Sequence, residues 1–138
     1  MKAELARQLM VRVDSNVGAL ADITASLAVA DINLVAGCAY EVGKIAAIMF
    51  VTDDNNESKK ILESQGFVVQ EEEVILLTVP NQPGSLQRVT QKIAEAGINL
   101  RLIYGSVDKT SKFSRVVIIS SNNLDVMMLI KTELERSS

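Results

Sequence analysis

Two stretches of this 138-residue chain carry groups able to hold a small charged molecule: Val79-Pro80-Asn81-Gln82-Pro83-Gly84-Ser85-Leu86 and Val13-Asp14-Ser15-Asn16-Val17-Gly18-Ala19-Leu20. In each, a glycine stands before a segment with helical periodicity. First-turn amides have no partner inside a helix, and the helix dipole there favours an anion. A carboxylate could dock on the amides near Gly84 and Ser85, or near Gly18 and Ala19. Pro83 is expected at the first helical position, and Gly84 leaves room for close approach. Asn16, Asn81 and Gln82 offer amide oxygens and donors that suit an ammonium group or a polar side chain. Capping and turning call for the same residue types, so each of them fits a purely structural role equally well.

Other chemistry has little to work with. The chain has no histidine or tryptophan, one cysteine, two tyrosines and three phenylalanines. Scattered Asp, Glu and Lys show no evident pairing for acid–base work, so catalysis is not expected. A lone Cys38 permits neither an intrachain disulfide nor a two-cysteine metal clip, and it is expected as a small buried strand residue. No metal and no cofactor are expected. A pI near 5.0 and few sheet aromatics argue against nucleic acid. The longest apolar run, Ile45 to Val51, falls far short of the roughly 20 residues that span a bilayer, which argues against a membrane protein. The first residues lack the apolar core of a signal peptide, so a reducing cytosol is the expected location.

The elements that would position these loops follow from a duplication. Shifted by 66 positions, residues 11–34 lie over 77–100 without a gap, and nine of the 24 pairs are identical. Ordinary composition gives about one or two by chance. The matches include Gly18/Gly84, Leu20/Leu86, Thr24/Thr90, Asn33/Asn99 and Leu34/Leu100. Each copy reads as strand, helix, strand, strand, helix. The opening strands are expected over Leu9–Asp14 and Val74–Val79. The helix faces are Leu20, Ile23, Leu27, Ala30 and Leu86, Val89, Ile93, Ala96, spaced three or four apart. Gly97 supplies a left-handed stop, and Asp31 takes its place in the first copy. Strands follow over Ile32–Tyr40 and Ile45–Thr52, then over Ile98–Val107 and Phe113–Ser120. The register then becomes 68, pairing Asn55 with Asn123 at helices opened by Asn or Asp caps. Gly66 ends the first of these, and Phe67-Val68-Val69 begins a fourth strand.

Such an order gives an α+β fold. It comprises two ferredoxin-like βαββαβ units, residues 1–72 and 73–138, each an antiparallel sheet with helices on one face. The second unit lacks its own last strand, so Val74–Val79 is expected to pair with a strand from the other repeat or from a second chain. Glu71-Glu72-Glu73 reads as a solvated connector. The run Val126-Met127-Met128-Leu129-Ile130, in a helix expected over Asn123–Arg136, is apolar nearly all round. Met127 or Met128 is therefore expected to pack beyond its own sheet.

The phrase Asn81-Gln82-Pro83-Gly84-Ser85-Leu86, then a helix, then Ala96-Gly97-Ile98-Asn99-Leu100, resembles the ACT domain. The first copy shares the glycine, the following leucine and the Ile32-Asn33-Leu34 ending, but has Val17 where that family usually has proline. The resemblance covers essentially the whole chain as a tandem pair. It implies a stand-alone regulatory protein that binds a free amino acid where the glycine loops meet a module interface. The implied ligand residues are Asn16, Gly18, Ala19, Leu20, Asn33, Asn81, Gln82, Gly84, Ser85, Leu86 and Asn99. Asn33 and Asn99, at strand starts, suit backbone groups nearby at least as well. The implied partners are a free amino acid, a second copy in a homodimer, and an enzyme of amino-acid metabolism. The alternative is an interaction subunit that regulates such an enzyme or a transcription factor without binding ligand itself.

Overall fold

The computed structural model describes residues 1–14, 18–106 and 108–135. Its elements run β1 (Lys2–Asp14), α1 (Ala19–Val29), β2 (Leu34–Val42), β3 (Ile45–Thr52), α2 (Asn55–Ser64), β4 (Val69–Pro80), α3 (Ser85–Glu95), β5 (Leu100–Ser106), β6 (Phe113–Ser120) and α4 (Asn123–Leu129), with a wider π turn over Ile130–Leu134. This is the expected α+β, ferredoxin-like architecture. The chain forms two compact units, one of residues 7–72 and one of residues 1–6 with 73–138.

In the unit of residues 7–72 the strands lie in the order β2-β3-β1-β4. β1 and β3 pair antiparallel with Val11 opposite Ile48, and β2 pairs with β3 with Cys38 opposite Met49. Period-two alternation turns Leu9, Val11, Ile48 and Phe50 toward Ile23 and Leu27 of α1 and Leu62 of α2, forming one core. Asp31 adopts φ 59 and Ile32 donates to the Leu27 carbonyl, a left-handed helix stop without glycine.

In the other unit the order is β1-β4-β6-β5, with Leu77 opposite Val116 and Gly105 opposite Val116 from the other side. Ile75, Leu77, Val79, Val116 and Ile118 pack under Val89 and Ile93 of α3 and Val126 and Ile130 at the end of the chain. The absent last strand is replaced by residues 1–6. Ala3 is buried in this core, and its amide donates to Glu135 Oε1 at 2.8 Å. Val74, Ile75 and Leu77 are accordingly fully buried rather than an open edge.

Several expectations need correction. Glu71, Glu72 and Glu73 lie inside β4, because one twelve-residue strand serves as the last strand of one unit and the first of the other. Arg7 Nε meets Glu71 Oε2 at 2.9 Å in the unit of residues 7–72. Met127 is buried in its own unit's core, while Met128 is 58% exposed beside Leu124 at 62%, so only the outer pair faces away. Leu20, Leu86, Ala30 and Ala96 are exposed; the buried faces of the helices are Ala19, Ile23, Leu27 and Ser85, Val89, Ile93. Val107 and Arg136, the expected ends of a strand and a helix, lie outside the described residues.

The helices α2 and α4 start with the same local network. Asp54 and Asn122 are the caps, accepting from the amides of Glu57 and Asp125 at 3.1 Å. The residues that follow do something else. Asn55 Oδ1 accepts from the Thr52 amide (3.0 Å) and hydroxyl (2.8 Å), and its Nδ2 donates to the Arg7 carbonyl at 2.7 Å. Asn123 makes the same three bonds with Ser120 (2.9 and 2.8 Å) and Glu73 (3.2 Å).

Candidate functional site

α1 and α3 both open on a glycine in the left-handed region, Gly18 at φ 104 and Gly84 at φ 87, and neither helix has a side-chain cap. An added Cβ at either glycine would meet nothing within 4 Å, so the requirement is conformational rather than steric. Pro83 therefore precedes the cap and is not the first helical residue. The Ser85 amide is also spent, donating to the Gln82 carbonyl at 3.2 Å. The amides left without intrahelical partners are those of Leu86 and Gln87, one residue further on than expected.

Beside this helix start lies a cavity of about 410 Å³. Its wall is made by Val79–Gln82 at the end of β4, Ser85 and Leu86 of α3, Ile103–Gly105 of β5, and Ser114 and Val116 of β6. None of these lining residues is charged. Asn81 is held by its side-chain amide, which donates to the carbonyls of Asp108 (2.7 Å) and Ser111 (3.0 Å), while its own N–H donates to the Lys112 carbonyl (2.9 Å). The turn after β5 thus fixes the loop that walls the cavity. Asp108 accepts from the amide and hydroxyl of Thr110, and these bonds hold its carboxyl below the usual aspartate range.

The unit of residues 7–72 has a cavity at the equivalent place, of about 260 Å³. Leu20 corresponds to Leu86, Gly37–Ala39 to Ile103–Gly105, and Ile48 to Val116. Among the described residues its lining is almost wholly apolar, with Ile23, Leu34, Met49 and Phe50. Cys38 is half-buried on its wall, not enclosed in a core as expected.

The structure thus brings Asn81, Gln82, Ser85 and Leu86 to one cavity, with Gly84 setting the helix start next to it, and Leu20 to the other. Gly18 opens α1, and Ala19 turns into the core. Asn16 lies outside the described residues. Asn33 and Asn99 line neither cavity: their backbones close strand ends, Asn33 with Asp53 and Asn99 with Ser121. Tyr104, Gly105 and Ser114 were not among the expected residues. Gly105, like Gly37, is a glycine inside a strand pattern, a signal for close backbone approach that points to this wall.

Residues 74–136 match the family model described as the ACT domain. This half of the chain is an ACT domain. The ACT domain contributes a regulatory fold that, across its family, typically binds amino acids in allosteric control. The whole chain is similar in structure to a protein from Bacteroides thetaiotaomicron, with a TM-score of 0.86, 27% identity, and coverage of 94% of this chain and 88% of that one. It also shares its fold with the regulatory subunit of aspartate kinase from Thermus thermophilus in ligand-free form (TM-score 0.66, 15% identity, 96% and 98% covered). The corresponding subunit from Thermus flavus gives 0.62 and 17%, with 98% of both chains covered. No curated protein matches the sequence. Among the described residues no helix is long and apolar enough to cross a membrane, and no cluster of His, Cys, Asp and Glu could hold a metal.

Proposed function

We propose that this chain is a non-catalytic regulatory protein, a tandem of two ACT-type modules, that binds a free amino acid in the cavity beside Gly84. The observation that carries this is the conjunction at one place of the Asn81–Leu86 loop, the helix start with its unfilled Leu86 amide, and an uncharged cavity of about 410 Å³ whose wall includes Asn81, Gln82, Ser85, Tyr104 and Ser114. That volume falls in the range of small-molecule sites. The amides suit the ligand carboxylate, and the side-chain amides and loop carbonyls suit its ammonium group. Binding shifts the balance between module conformations, and an enzyme of amino-acid metabolism responds to that shift. The regulatory kinase subunits that share the fold support a partner of that kind.

Titration calorimetry and thermal shift against the twenty amino acids test this. At a ligand concentration 100 times Kd, linkage adds about 2.7 kcal/mol to the stability of the binding unit. No heat and no shift with any amino acid would refute it. The module is further proposed to act as a homodimer, supported by the apolar edge strand β2, where Leu34, Tyr40 and Val42 are exposed; a monomer in sedimentation at working concentrations would refute that. The exposed pair Leu124 and Met128 favours a second reading, an interaction subunit without ligand, for which co-purification with a larger protein is the test.

A further inference from the structure

The cavity beside Gly84 contains two hydroxyls that the fold does not use. Ser85 is only 7% exposed and lines the cavity, yet among the described residues its Oγ has no hydrogen-bond partner; only its backbone amide is bonded, to Gln82. Ser114 lines the same cavity from β6, opposite Val79, and its Oγ likewise has no partner among the described residues. Both hydroxyls stand on the cavity wall and are not committed to bonds within the fold, so they are available to whatever occupies it.

The duplication supplies an internal control. At the equivalent positions of the unit of residues 7–72 the two serines are Ala19 and Ala46, and Tyr104 is Cys38. Alanine therefore suits the backbone at both places, and Ala19 is buried just as Ser85 is. The hydroxyls distinguish the second cavity chemically while the architecture stays the same. No lining residue there carries a charge, so a ligand with a net charge would leave water without a counter-ion. A zwitterion with a neutral side chain has no such deficit.

Resting on the amino-acid reading above, we infer that this cavity selects amino acids with an uncharged, hydrogen-bonding side chain. Ser85 and Ser114 are the specificity-determining groups.

Calorimetry of the intact chain with serine, threonine, asparagine and glutamine, against lysine, arginine, aspartate and glutamate, tests this. Expected is at least about tenfold weaker binding of every charged amino acid. Ser85→Ala and Ser114→Ala are each expected to weaken binding of the preferred neutral amino acid about three- to tenfold, the worth of one hydrogen bond. Binding of alanine should change less than about twofold. Two outcomes overturn the inference while leaving amino-acid binding intact: charged amino acids that bind as tightly as neutral ones, or both variants binding like the parent chain. Silence with all twenty amino acids would instead remove the reading on which the inference rests.

Discussion

Replacing Asn123 by alanine should cost far more than replacing its neighbour Asn122, although both stand at the start of the same helix. Asn122 is the cap, accepting from the Asp125 amide and donating from its Nδ2 to Asp125 Oδ2 at 2.8 Å, both bonds exposed to water. Losing such a cap costs about 1 kcal/mol. Asn123 accepts from the amide and the hydroxyl of Ser120, which is 6% exposed, and donates to the Glu73 carbonyl across the sheet. Three bonds at about 0.5–1.5 kcal/mol each put the loss at about 2–4 kcal/mol, because partly buried partners are left unmatched. Urea unfolding is the assay. With a slope of about 1–3 kcal/mol/M, Asn123→Ala should lower the midpoint by about 1–2 M at unchanged slope. Asn55→Ala and Asp54→Ala repeat the comparison in the other unit, where the geometry is the same. If Asn123→Ala lost no more than Asn122→Ala, the network would be an ornament of the turn and not a brace between helix and sheet.

Met127→Ala, which opens a hole in the core, is expected to lose about 2–5 kcal/mol. Met128→Ser, on the exposed side, should stay within about 0.5 kcal/mol in the same unfolding assay. Gly84→Ala should lose about 1–2 kcal/mol from the left-handed backbone alone, since its Cβ meets nothing, and calorimetric melting reads that loss. The Asp108 carboxyl should titrate below 3.8 by NMR, and Thr110→Val should raise it toward that value. Because the folded-state pKa is depressed, whatever stability these bonds give is present above 3.8 and disappears as pH falls through the folded value.

The architecture was legible because burial writes itself into sequence as periodicity. Ile45–Thr52 and Phe113–Ser120 are short β-branched, apolar runs bounded by turn residues, and both strands lie where expected. What was missed concerns partners at long range. No local pattern tells that Glu71, Glu72 and Glu73 continue a strand, since acidic residues with low β propensity read as a loop until neighbouring strands impose their ladder. Likewise Met127 and Met128 look alike in sequence; which of them faces the core depends on the rotation of α4 and on the π turn that follows it. The replacement of a missing strand by residues 1–6 could be stated as a need but not assigned to a segment.

The same distinction governs the site. Of the identical pairs in the repeat, Asn33 and Asn99 use their backbones to close strand ends, and Gly18 and Gly84 serve the shared helix start. A duplicated fold keeps identical residues wherever both copies need the same backbone. Positions that differ are free of that demand, and some of them lie on the wall of the cavity beside Gly84: Ser85 against Ala19, Ser114 against Ala46, Tyr104 against Cys38. Exchange of Ser85 and Ser114 for alanine together should therefore leave the unfolding midpoint of the chain nearly unchanged while weakening the proposed ligand's binding. Exchange of the identical pair Gly18 and Gly84 should do the reverse in order of severity, with stability falling first. Were the serine pair to prove the more destabilising of the two, the divergent positions would belong to the fold after all.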